Sequence, residues 1–244
     1  MDNQRIVVYS GTRNVYEQMY VSLKSLLANT QVDMVLLFIE DDEFPYQLPE
    51  NVKPMNVSRQ EIFHADSPNY RNNWSYMELL RCSLGVMLPE EFHKVLWLDI
   101  DTIVNEDIGE LFDIDLTDYY YAGVMEPKKC LGVFRYINVG VVMINLDLLR
   151  QNGKEIDIIN YLNKYPLTWP GQDAINMHCQ GYIKLLDSEF NSCGYTQPCI
   201  RPKVYHFAAT PAEQYKQNWV YKKYEQMNFK FADTEEQADE EEHP

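Results

Sequence analysis

The stretch "KVLWLDIDTIVNEDIGELF", Lys94 to Phe112, carries the pattern on which the fold turns. Val95, Leu96, Trp97 and Leu98 form an unbroken apolar run, which reads as a strand buried on both faces. The run ends on two acids, Asp99 and Asp101, separated by Ile100. Charge at the mouth of an apolar strand is expensive unless a cation compensates it. In an extended segment, residues two apart point the same way, so both carboxylates face one side. Paired hard oxygen donors suit Mg²⁺ or Mn²⁺, which complete their shells with phosphate oxygens and water. The plainer reading makes the two acids caps of the next segment, because D-x-D arises often by chance. The apolar run before them favours the metal.

Outward from this strand the chain alternates strands and helices. "RIVVYS" (Arg5–Ser10) reads as a first buried strand, followed by the turn "GTRN". Val15, Met19, Leu23, Leu26 and Leu27 then fall at helical spacing. "MVLLFI" is a second strand, and "VKPMNV" a weaker third whose Pro54 assigns it to an edge. "SYMELLRCSLGVMLP" predicts a helix with Ser75 as N-cap and Glu78 three residues on. Downstream, "DIGELF" reads as a short helical turn, and "YYYAGVM" and "NVGVVMINL" as strands. A helix within Asp147–Tyr165 breaks near Gly153, "QDAINMHCQ" is helical, and "YIKLLD" and "KVYHFA" close the series as strands. This order predicts an α/β fold, a mostly parallel mixed sheet flanked by helices, with ligands at the carboxyl ends of the strands. No Gly-, Ser- or Pro-rich linker divides the chain. The expectation is one domain over residues 1–230 and an acidic, solvated tail over 231–244.

The chain has 244 residues and a formal net charge of −16. Seven acids and no Lys or Arg sit in the terminal "ADTEEQADEEEHP". Such a balance argues against nucleic acid as a partner, and an anionic substrate needs a local counter-charge. There is no signal-peptide pattern and no apolar run of membrane-spanning length. Five cysteines, irregularly spaced and without C-x-x-C, fit reduced thiols in a cytoplasmic protein.

Five segments, in order, resemble glycosyltransferase family 8, the retaining nucleotide-sugar enzymes that include glycogenin and bacterial lipooligosaccharide galactosyltransferases. They are "VVYSGTRNVYEQMYVSLKSLLANT", the opening D-x-D segment, "YINVGVVMINL", "GQDAIN" and "VYHFAA", with "KQNW" where the family has K-P-W. The resemblance spans about Arg5 to Trp219. It implies a GT-A type domain and a metal held by Asp99, Asp101 and His206. By itself a lone histidine is more often a hydrogen-bonded structural residue. The resemblance places Ser10, Thr12 and Tyr16 near the nucleoside, with Tyr16 able to stack on the base. Turn chemistry and a core contact are the plainer readings of those three. It places Arg81, Ile100 and Asn138 at the donor, Lys216 on a phosphate, and Gln172 and Asp173 beside the donor sugar. Val139 and Gly140 are expected to serve strand packing.

The implied reaction is transfer of a hexose from UDP-glucose or UDP-galactose to a carbohydrate or glycan-lipid acceptor, by an enzyme peripheral at the membrane. Gln172 steadies the sugar, and Asp173 is the reserve nucleophile. Acceptor contacts are expected from His64–Trp74 and Glu126–Tyr136. Two departures bear on this. Gly171 stands where the family has the first Asp of D-Q-D, so a carboxylate near the sugar is missing. Ala209 stands where it has a Gly beside the diphosphate. They motivate a second hypothesis, a non-catalytic nucleotide-sugar binding or partner protein. A third, a phosphatase with a D-x-D nucleophile, ranks low: its acid pair belongs on the first strand, and its later acid, Ser/Thr and Lys set is not found.

Overall fold

The structure is a computed structural model that describes residues 4–71, 75–129 and 135–228. Residues 231–244, expected to form the acidic tail, lie outside the described residues, as do parts of both expected acceptor loops.

Nine strands are described: β1 (Ile6–Ser10), β2 (Met34–Ile39), β3 (Val52–Asn56), β4 (Lys94–Leu98), β5 (Thr102–Val104), β6 (Tyr121–Met125), β7 (Ile137–Asn145), β8 (Ile183–Leu186) and β9 (Val204–His206). Seven form one sheet in the order β3-β2-β1-β4-β7-β6-β8, and β5 pairs with β9 in a separate ribbon. The β3-β2-β1-β4 half is parallel. β7 runs antiparallel to both β4 and β6, which makes the sheet mixed. β3, with Pro54, is an edge as expected. Proline has no N–H to give the ladder and is tolerated there.

β4 lies in the middle, and its residues alternate between two cores. Val95 and Trp97 join Ile6, Val8 and Val142 on one face. Leu96 and Leu98 join Val7, Tyr9, Val141 and Met143 on the other. Helices cover both faces. Tyr16–Asn29 packs on the second, while Leu146–Asn152 and Lys154–Lys164 meet at Gly153, whose φ of 60° ends the first of them. Among the described residues, no helix is long and apolar enough to cross a membrane.

Two local expectations are corrected. The acids do not extend β4. The strand stops at Leu98, and a turn follows in which the Thr102 N–H and hydroxyl both donate to the Asp99 carbonyl, at 3.1 and 2.7 Å. The segment expected as one helix is instead a 3₁₀ helix over Tyr76–Cys82, then a short α-helix over Leu84–Met87. Side chains claim the carbonyls an α-ladder would use. Ser10 Oγ takes Met77 O, Arg81 Nε takes Glu78 O, and Ser83 Oγ takes Leu80 O.

Candidate active site

A cleft of about 440 Å³ opens at the carboxyl ends of β1 and β4. Its walls come from the loop after β1 (Gly11, Thr12), the 3₁₀ segment (Met77, Glu78, Arg81), the start of β7 (Asn138, Val139), the start of the helix Pro170–His178 (Trp169, Gln172), and Ala208 and Ala209 beyond β9. Asp99, Ile100, Asp101 and His206 also line it.

The antiparallel β5–β9 ribbon builds the centre. It pairs Thr102 with His206, which sets the histidine beside the acid turn. Asp99, Asp101 and His206 each offer a ligand atom, all within 4.8 Å of one another. His206 Nε2 stands 3.3 Å from Asp101 Oδ1 and 3.9 Å from Asp99 Oδ2. Burial disfavours charge on both Asp101 and His206. Their mutual attraction outweighs it, holding the Asp101 carboxyl below its ordinary range and lifting His206 above its own. Asp99 is oriented by its other oxygen, which accepts from Trp97 Nε1 at 2.8 Å and pairs with the buried Arg81 guanidinium at 2.9 Å.

His206 is also held from behind. Glu126, paired with Lys129 at 3.1 Å, accepts from Asn138 Nδ2 at 2.7 Å. The Asn138 oxygen accepts from Gly140 N and from Asn191 Nδ2 at 2.8 Å. The Asn191 oxygen is thereby left to face His206 Nδ1, also at 2.8 Å. A carboxylate can only accept, so Glu126 sets the direction of the whole chain. Nδ1 of His206 is thus fixed as a donor, so when the ring gives up its other proton it is Nε2, beside the acids, that becomes free for a metal. This is how metal-binding histidines are ordinarily oriented. Two carboxylates and one imidazole so arranged fit a hard divalent ion.

The other expected site residues divide. Ser10, Thr12, Arg81, Ile100, Asn138 and Gln172 all line the cleft. The Gln172 oxygen accepts from Val139 N at 3.2 Å, and its nitrogen donates to Glu126 and to Tyr136 Oη. Three residues lie away from the cleft lining. Tyr16 is buried in the core against Phe44, with its hydroxyl between Asp41 and the Glu40 N–H, so its ring is not available to a base in this arrangement. Lys216 pairs with Glu17. Asp173 accepts from the Tyr136 hydroxyl and, at 2.9 Å, from Trp169 N, which fixes the start of its helix. Glu78, Glu126 and Asn191 also stand at the site, although the sequence gives Glu78 only a capping place, Glu126 only a place in an acceptor loop and Asn191 none. No spacing rule brings the three together, since each arrives from a different segment.

Ala209 adopts φ 53°, and the Thr210 N–H closes a turn onto Phe207 O at 2.8 Å. The alanine thus keeps the left-handed backbone that favours glycine.

The family model for glycosyl transferase family 8 matches residues 6–228. The chain belongs to that family. It is 24% identical over 218 residues to a Haemophilus influenzae protein designated a glycosyltransferase, covering 81% of this chain and 66% of that one. It is 24% identical over 198 residues to glycosyltransferase GlyB of Streptococcus pneumoniae, covering 78% of this chain and 48% of GlyB. The chain therefore spans about half to two thirds of the length of these relatives. Among solved structures, galactosyltransferase LgtC with donor and acceptor sugar analogues superposes with a TM-score of 0.68 at 20% identity, covering 90% of this chain and 93% of LgtC. GlyE of Streptococcus pneumoniae gives 0.67 at 18%, covering 92% and 61%. At these identities the likeness establishes the GT-A fold.

Proposed function

We propose that the family 8 chain is a retaining hexosyltransferase that moves glucose or galactose from its UDP donor to an acceptor hydroxyl of a glycan or glycan-lipid, at the cytoplasmic face of a membrane. The observation that carries this is the convergence of Asp99, Asp101 and His206, oriented by Asn191, on the cleft. A divalent ion held there, Mn²⁺ or Mg²⁺, would neutralise the charge that develops on the leaving diphosphate.

The chain's own residues do the rest. Ser10 and Thr12 stand at the β1 end of the cleft, where the nucleoside is assigned. Arg81, buried under Asp99, fixes the acid turn. Gln172 is clamped between Val139 N and Glu126 and steadies the sugar as its anomeric C–O bond lengthens. An amide is a poor nucleophile, so transfer is assigned to the front face. The bond to the β-phosphate oxygen breaks, the bond to the acceptor oxygen forms, and the acceptor proton passes to the leaving phosphate. Asp173, with its carboxylate engaged at the helix start, is the weaker candidate for a covalent route.

The test is calorimetric titration of UDP with Mn²⁺ and with EDTA, for wild type and Asp101→Ala. Binding that needs both Mn²⁺ and Asp101 is the expected result, and a Mn²⁺-dependent hydrolysis screen then identifies the donor. Absence of UDP binding under every condition would sink the transferase reading. Full activity in Gln172→Ala would remove Gln172 from the mechanism. Metal-dependent UDP-sugar binding without turnover would favour the non-catalytic binding protein.

A further inference from the structure

Two tryptophans stand near the cleft in opposite conditions. Trp97, whose Nε1 holds Asp99, is 1% exposed, whereas Trp169 lines the cleft with 41% of its surface exposed. Single exposed apolar side chains are ordinary on a protein surface, but this one is built into place. The Trp169 N–H donates to Asp173 Oδ2 at 2.9 Å, and its carbonyl accepts from Asp173 N at 2.6 Å, which clamps the backbone at the start of the helix Pro170–His178. The chain leading to it is tied down by the buried Asn69. That amide donates to the Leu162 and Tyr165 carbonyls, each at 2.6 Å, and its oxygen accepts from Leu167 N at 3.0 Å. The indole itself is held by the Lys129 ammonium, 3.6 Å from its centroid, which Glu126 holds in turn at 3.1 Å. A cation over one face of the ring fixes its orientation and leaves the other face for a ligand.

We infer that Trp169 is a stacking platform for a sugar ring of the acceptor. This inference rests on the transferase reading above. A pyranose has a face of C–H groups and a rim of hydroxyls. The C–H face gains by leaving water for an aromatic face, while the rim stays with polar groups. One indole in a wall that also carries carboxylates and amides matches that division. An acyl chain would call for a continuous apolar track instead. The change in exposure along the wall assigns the ring to acceptor rather than donor. Gln172, three residues on, is 9% exposed against 41% for Trp169, so the wall opens outward from the glutamine to the indole. The donor hexose is assigned beside Gln172, and an acceptor entering from solvent meets the more open end first. Uracil is the other flat partner, but the nucleoside is assigned at the β1 end of the cleft, on a different wall.

The experiment measures UDP release from UDP-glucose and UDP-galactose in Mn²⁺, alone and with lactose, maltose, cellobiose or N-acetyllactosamine as acceptor. It also measures the dissociation constant of UDP. Wild type is compared with Trp169→Ala, Trp169→Leu and Trp169→Tyr. Trp169→Ala and Trp169→Leu are expected to raise the acceptor KM about tenfold, while UDP affinity and donor hydrolysis without acceptor change by less than about twofold. Trp169→Tyr keeps an aromatic face and should stay within about threefold of wild type. Leucine separates stacking from bulk, because it is apolar and large but has no flat face. An acceptor KM that stays at the wild-type value in Trp169→Leu overturns the inference. So does equal loss of hydrolysis and transfer with a lower melting temperature, which marks a structural residue only. Weaker UDP binding with an unchanged acceptor KM also overturns it, because the ring then serves the base. Wild type that hydrolyses a donor but takes none of the disaccharides overturns this inference alone. Wild type that binds no UDP overturns the transferase reading as well. If Trp169→Ala does not fold, the contrast of leucine with tyrosine still decides.

Discussion

Gly140→Ala tests how the histidine is seated. A Cβ at residue 140 would lie 2.2 Å from His206 Cε1 and 2.8 Å from each ring nitrogen. Carbon atoms pack at about 3.5–4.0 Å, so ring and backbone must separate by more than about 1 Å. β7 cannot yield easily, because it is hydrogen-bonded between β4 and β6. β9 is three residues long and pairs with β5 at the side of the site, so the ring moves instead. Metal sites tolerate ligand errors of about 0.2 Å. A shift five times larger removes His206 as a useful ligand, and Mn²⁺ affinity is expected to fall about 100-fold. Overpacking of this kind also costs about 1–3 kcal/mol, a drop of roughly 3–10 °C in melting temperature for a chain of this size. The control is Gly85→Ala, whose Cβ would strike Glu155 Oε2 at 2.7 Å, outside the cleft lining. It should lower stability and leave Mn²⁺ binding near wild type. The assay is Mn²⁺ titration followed by calorimetry or paramagnetic resonance, with a thermal melt of each variant. Wild-type Mn²⁺ affinity in Gly140→Ala, at any stability, would refute the assignment of His206 as ligand.

Three further outcomes are expected. Asn191→Leu removes the acceptor that holds His206 Nδ1–H, so Mn²⁺ affinity should drop about 10- to 100-fold with all three ligands intact; titration checks this, and no change would mean the tautomer is set elsewhere. Mn²⁺ binding at neutral pH should release about one proton, because Asp101 and Asp99 overcome burial to hold His206 protonated and a ligand must be neutral. Apparent affinity then rises with pH, and heats measured in two buffers of different ionisation enthalpy give the proton count. Burial lifts Glu155 to about 7 against the opposing amides of Gly85 and Val86 and the charge of Arg150. Its favourable contribution is present below pH ~4.5 and is lost as pH rises to about 7, roughly 3 kcal/mol in all. Glu155→Gln should therefore gain stability relative to wild type across that window in denaturant melts; a pH-independent difference would show that the carboxyl is not held neutral.

Periodicity and composition made much of the fold legible. The apolar runs at Ile6–Ser10, Met34–Ile39 and Lys94–Leu98 became neighbouring strands of one sheet, because a run buried on both faces has few other places to go. Pro54 marked its edge, and Gly153 the helix break. The residues brought round the acid turn were legible only through ordered motifs, since His206 lies more than a hundred residues from Asp99 and no local rule joins them. Expectation and structure part where long-range partners decide. The resemblance puts Tyr16 near the nucleoside, whereas Asp41 and Phe44 hold it in the core, its plainer reading. The resemblance puts Lys216 on a phosphate, and in the structure it pairs with Glu17, 199 residues away in sequence. The 3₁₀ segment reads as a helix in sequence because Ser75 and Glu78 match a capping box. The competitors for its carbonyls include Ser10, which lies in β1.

The charges on the cleft bear on the order of binding. Among its described lining residues, four carboxylates (Glu78, Asp99, Asp101 and Glu126) face two fixed cations, Arg81 and Lys129. Arg81 is taken up by Asp99 and Lys129 by Glu126. A diphosphate entering such a wall meets net repulsion, and the repulsion is strong because the groups are largely shielded from water. A protonated His206 relieves part of it, but that proton must leave when a metal binds. A divalent ion replaces one positive charge by two and lies where the phosphates are assigned. On the proposed reading, metal is expected to precede the nucleotide or arrive with it, and UDP alone to bind far more weakly than UDP with Mn²⁺. The carboxylates that would make the ion necessary are also those proposed to bind it, Asp99 and Asp101, and to orient its third ligand, through Glu126.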